Sequence, residues 1–65
     1  MWLLALRMAP AGPEVALLDA SGRALQRARP GARAEALAPL VGETLAEAGL
    51  DFPDLEALAV ATGPG

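Results

Sequence analysis

Short blocks of apolar residues fill the first half of the chain, and a helical spacing follows them. Trp2-Leu3-Leu4-Ala5-Leu6 is a continuous apolar stretch of strand length, read as a strand buried on both faces. Pro10, Gly12 and Pro13 punctuate the turn after it. Glu14–Asp19 forms the second strand. Ala20-Ser21-Gly22 makes a compact turn, so strands two and three are expected to pair as a hairpin. The third strand, Arg23–Ala28, carries Arg23, Gln26 and Arg27, and charge of this kind suits a sheet edge.

Pro30 and Gly31 break the strand pattern, and the period changes from about Ala34. Leu37, Leu40, Val41, Leu45 and Ala48 fall on one helical face, with Glu35, Glu43 and Glu47 largely on the other. Pro39 lacks an N–H and disfavours helical backbone at Ala38, so the regular helix either starts near Pro39 or is kinked there. Gly49 stops the helix, and Leu50 is placed to fold back as the apolar contact of a Schellman motif. Asp51 reads as an N-cap with Pro53 just inside a short helical turn through Leu55. Leu58–Thr62 is a last apolar strand, closed by the turn Gly63-Pro64-Gly65.

The order is therefore β-β-β-α-β in an α/β fold. A right-handed crossover makes the last strand parallel to the first. With the charged third strand at an edge and the apolar first strand inside, the sheet is a mixed one of order 3-2-1-4. Four strands span roughly 19 Å, whereas a helix covers a strip about 10 Å wide. One helix covers about half of one face and none of the other. The chain is thus expected either to be part of a larger α/β domain or to bury its second face in an oligomer.

Composition narrows the chemistry. In 65 residues there is no His and no Cys. That removes the usual neutral-pH general base, the commonest metal ligand, the thiolate nucleophile and any disulfide. Five Arg against eight acids leave a net charge of −3, which excludes a basic nucleic-acid binder as a whole. Hydrophobic residues make up 54% of the chain, too many for disorder. Trp2–Leu6 is too short to span a bilayer or to serve as an export signal, so the chain is read as cytoplasmic, with no membrane partner.

Four stretches resemble the amino-terminal lobe of the bacterial TsaB (YeaZ) family. They are the opening apolar strand, Val15-Ala16-Leu17-Leu18-Asp19, Leu45-Ala46-Glu47-Ala48-Gly49-Leu50, and Asp54-Leu55-Glu56-Ala57-Leu58-Ala59-Val60 followed by Gly63-Pro64-Gly65. The resemblance extends over residues 1–65 as one partial lobe, about a third of a family member, ending after the glycine turn. It implies the actin-like ATPase (ribonuclease H-like) fold, whose lobes begin β-β-β-α-β. It also implies a noncatalytic protein that supports the TsaD catalytic subunit in making threonylcarbamoyladenosine in tRNA. Family members pair through helices of this lobe, as homodimers and with TsaD. The resemblance therefore implies a homo-oligomer, a dimer, and a TsaD-like subunit as partners, with tRNA met indirectly at most.

The family's first strand ends in Asp-Thr-Ser, where this chain has Arg7, Met8 and Ala9, and an Arg cannot ligate Mg²⁺. The family's His-Ser-Glu at the helix start is matched by Ala32-Arg33-Ala34-Glu35. No catalytic residue, metal ligand or cofactor is assigned. Gly63, Pro64 and Gly65 are at most a vestigial phosphate turn. Arg23, Arg27, Arg29 and Arg33 are read as a solubilising edge in preference to an RNA contact, since no aromatic interleaves them. Ser21 and Thr44 have no His to activate them. Ala34, Ala38, Gly42 and Ala46 repeat at every fourth position. Candidate interface residues are Ala38 and Gly42 with Leu37, Leu40, Val41 and Leu45. The leading expectation is a noncatalytic interaction protein. The alternatives are an enzyme, glycoprotease-like or an ATPase of the actin-like kind, and a truncated fragment with no function of its own.

Overall fold

The computed structural model describes residues 2–61. The elements are β1 (Trp2–Ala9), β2 (Gly12–Asp19), β3 (Ala24–Ala28), a 3-10 turn at Ala34–Ala36, α1 (Leu37–Ala48), a second 3-10 turn at Phe52–Asp54, and β4 (Leu55–Ala61). The sheet order is β3-β2-β1-β4, with β1 and β4 parallel and the other pairs antiparallel. Order and strand directions agree with the sequence expectation.

The first hairpin is longer than the apolar blocks imply. Pairing continues from Leu6↔Val15 through Arg7↔Glu14 and Met8↔Pro13 to Ala9↔Gly12. Arg7 and Glu14 join across the strands at 3.2 Å, which explains why charged residues sit inside a ladder. Pro13 is tolerated in a central strand because the β2–β3 ladder is ending there. Its carbonyl accepts the Arg29 N–H at 3.0 Å, beyond the last paired rung at Glu14↔Ala28. At the β2–β3 turn the Asp19 carboxylate accepts bonds from the Ser21 hydroxyl and N–H and from the Arg23 N–H, at 2.6, 2.9 and 3.0 Å. The Ser21 hydroxyl is the main influence holding the Asp19 carboxyl below the usual aspartate range; slight burial opposes it, and the two N–H groups reinforce it.

Pro39 sits at the third position of α1, where the backbone nitrogen has no intrahelical partner in any case, so the helix carries it without a break. The three residues before α1 form a 3-10 turn instead of helix. At the far end Gly49 takes φ 71° and ψ 30°, the left-handed conformation. Its N–H reaches the Ala46 carbonyl at 3.1 Å and the Leu50 N–H reaches Leu45 at 2.9 Å, the two bonds of a Schellman motif. Leu50 packs back on the core as expected.

That core is Leu4, Val15, Leu17, Leu40, Val41 and Leu45, flanked by the partly buried Trp2, Leu6, Leu25, Leu37, Ala48, Leu50 and Leu55. The helix lies over β2 and β3. Thr44 is fully buried on the same helix face, with its hydroxyl bonded to the Leu40 carbonyl at 2.7 Å, so its polar group is satisfied inside its own helix. The apolar last strand is not buried as its composition implies: every β4 residue after Leu55 is exposed. The helix covers only the β2–β3 half of its face.

Candidate functional site

The sequence candidates divide between core and surface. Leu40, Val41 and Leu45 are buried against the chain's own sheet and Leu37 is half-buried, so these four are taken up by the intrachain core and offer a partner little. Ala38 and Gly42 are exposed on α1, beside the buried face. A side chain built at Gly42 meets nothing within 4 Å. Ala46 is exposed as well, so Ala38, Gly42 and Ala46 make a strip of small side chains along the exposed surface of α1, whereas Ala34 lies in the 3-10 turn before it. Gly63, Pro64 and Gly65 lie outside the described residues, as does Thr62.

Charge makes contacts that the spacing does not show. Glu43 and Glu47 lie on an exposed face, as expected, and both are also ion-paired. Arg27 of β3 reaches Glu47 and also Glu43, the latter at 3.7 Å, and Arg29 reaches Glu43. The mutual repulsion of the two glutamates is offset by the guanidinium between them. The arginines of the basic segment likewise do more than keep an edge soluble. Arg27 ties β3, and Arg29 the segment just after it, to α1, and Arg23 lies 5.7 Å from the centre of the Trp2 ring. Each exposed pair contributes ~0.2–1 kcal/mol. Their main effect is to set the charges of Arg27 and Arg29 against acids of the same chain. Spacing in sequence could not reveal this, because the partners lie 14 to 20 residues away in a separate element.

The other sheet face carries a shallow depression of about 480 Å³ with alanines 5, 16, 28, 59 and 61 in its lining. Arg7 and Glu14 also line it, already joined to each other. Among the described residues no group of three acidic side chains is gathered as a metal site would require. No helix there is long and apolar enough to cross a membrane.

A mixed β3-β2-β1-β4 sheet with one crossover helix defines a partial lobe of a YeaZ-like fold. Solved structures agree. The chain is 39% identical to YeaZ from Pseudomonas aeruginosa, with a TM-score of 0.84 over 98% of this chain and 30% of that one. A second structure, described as an uncharacterized protein with similarity to the peptidase YeaZ from Pseudomonas aeruginosa, matches with the same identity and coverage and a TM-score of 0.77. The resemblance to the TsaB (YeaZ) family thus holds along nearly the whole chain, which spans about 30% of the length of these two relatives. No protein-family model and no curated protein matches the chain.

Proposed function

We propose that this chain is a noncatalytic, cytoplasmic interaction module of the TsaB kind, corresponding to part of the amino-terminal lobe. It supports threonylcarbamoyladenosine modification of tRNA by binding a TsaD-like catalytic subunit, and a second copy in the same manner, through the outer surface of α1. The observation that carries this reading is the Ala38–Gly42 strip. It lies on a helix whose adjoining face is anchored in the core, so it is exposed without being loose, and Gly42 leaves room for a close helix–helix approach.

The noncatalytic part of the proposal draws support from Arg7. It stands in β1, two residues before the strand's last, at a position where the resembled family carries an aspartate, and it is paired with Glu14. A guanidinium there repels Mg²⁺ in place of binding it. The sequence also has no His or Cys to act as base or nucleophile. Isothermal calorimetry with ATP and Mg²⁺ tests this: only small, non-saturating heats are expected. A saturable heat in the micromolar range that disappears when Mg²⁺ is chelated would overturn the noncatalytic assignment.

A further inference from the structure

The aromatic ring that the arginine segment lacks in sequence is supplied by the fold. Trp2, at the start of β1, pairs with Asp19. Asp19 also closes the β2–β3 turn: its N–H donates to the Arg23 carbonyl at 3.0 Å, and its carboxylate accepts the Arg23 N–H. Trp2 and Arg23 are thereby brought together, with the guanidinium 5.7 Å from the centre of the indole ring. Between them and the last residues of α1 lies a hollow of about 290 Å³, with Leu25, Glu47 and Ala48 also in its lining. No residue of β4 lines it, so the sheet edge there has no part in it.

The apolar part of this hollow is fixed, because Trp2, Leu25 and Ala48 all pack against the core. Its charged groups differ from each other. Glu47 is ion-paired with Arg27. The nearby Asp19 carboxylate is engaged by the Ser21 hydroxyl and by two backbone N–H groups. Among the described residues the Arg23 guanidinium is in no ion pair and lies over the ring instead. An aromatic face beside a guanidinium with no carboxylate partner suits a stacked base together with its phosphate.

We propose that this hollow binds one nucleoside phosphate, either a free nucleotide or an unpaired residue of a single RNA strand. The base stacks on Trp2. The Arg23 side chain is exposed, so its guanidinium can move off the ring and pair with the phosphate. The exchange gives up one exposed cation–π contact and gains a stacked ring and charge-assisted hydrogen bonds. The volume is at the small end for ligand pockets and suits a single such unit. One ring and one guanidinium support a dissociation constant of the order of 1 mM. No Mg²⁺ and no part of the Ala38–Gly42 strip is involved, so this site stands apart from the calorimetric test and from the helix strip.

Trp2 is the sole tryptophan and there is no tyrosine, so its fluorescence reports on the hollow directly. Excited at the red edge of the indole band, where nucleotides are transparent, it is expected to be quenched by adenosine 5′-monophosphate along a saturating curve. Adenosine, which lacks the phosphate, should bind at least about tenfold more weakly, and ribose 5-phosphate, which lacks the base, should compete at least about tenfold more weakly. Arg23→Gln should weaken the monophosphate at least about tenfold, whereas Arg33→Gln, at an exposed arginine outside the hollow, should leave it unchanged. Single-stranded oligoadenylate binding at least about tenfold more tightly than the monophosphate assigns the site to an RNA strand, and equal binding assigns it to the free nucleotide. The proposal is overturned if quenching by the monophosphate stays linear up to about 20 mM. It is also overturned if adenosine matches the monophosphate, or if Arg23→Gln binds as the unaltered chain does.

Discussion

Leu45→Ala is expected to cost about 2–5 kcal/mol and to leave the chain largely unfolded at room temperature. Leu45 is 4% exposed and packs between α1 and the sheet with Leu4, Val15, Leu17, Leu40 and Val41. Among the described residues six form the buried cluster, so a cavity at one of them has few neighbours able to close it. A core this small supplies at most ~3–5 kcal/mol of net stability, comparable to the expected loss. The Schellman bond to the Leu45 carbonyl is a backbone contact and survives the substitution, so the cost belongs to the side chain. Loss of the cooperative transition in urea denaturation, followed by circular dichroism, is the expected result. An unchanged midpoint would show that α1 is not anchored through Leu45.

Gly12→Ala is expected to cost about 2–4 kcal/mol. Gly12 has φ 144°, a conformation closed to side-chain-bearing residues, and a Cβ there would lie 2.5 Å from the Arg29 carbonyl oxygen. That oxygen is not free to move. The segment after β3 is laid across the first hairpin by bonds from Arg29 N–H to Pro13 and from Gly31 N–H to Ala11, at 3.0 and 2.7 Å. Gly49→Ala is the matched control. It has a positive φ as well but open space around it, so about 1 kcal/mol is expected. Equal losses in the two variants, measured by thermal melting, would mean that the close approach at Gly12 contributes nothing.

The topology was legible because three local signals agreed. The apolar first strand had to be central, the arginines marked an edge, and the crossover rule fixed the direction of β4. The helical face of Leu40, Val41 and Leu45 and the stop at Gly49 were legible for the same kind of reason, a spacing of 3.6 and a residue that tolerates positive φ. What escaped depends on contacts between elements. Arg7–Ala9 and Gly12–Pro13 belong to strands, but their only mark in sequence is a charge pair that must be recognised across a turn. The pairing of Glu43 and Glu47 escaped because their partners, Arg27 and Arg29, are remote in sequence. The lateral position of α1 over β2 and β3, which leaves Leu58 and Val60 bare, is set by packing and has no signature in the pattern of β4 itself. Of the candidate interface, spacing alone could not separate Ala38 and Gly42 from the leucines that the core consumes.

We propose that the exposed surface of α1 takes a partner helix, and titrating the chain, unaltered and as Gly42→Leu, into the TsaD-like catalytic subunit encoded in the same genome tests it. Gly42 is exposed with open space beside it, and leucine is the better helix former by about 1 kcal/mol, so the variant should fold at least as well. The added side chain would nevertheless hold a second helix away. Saturable binding of the unaltered chain is expected, with a loss of at least about tenfold in affinity for Gly42→Leu at unchanged or higher melting temperature. Equal affinity of the two chains, or no binding by either, would contradict it.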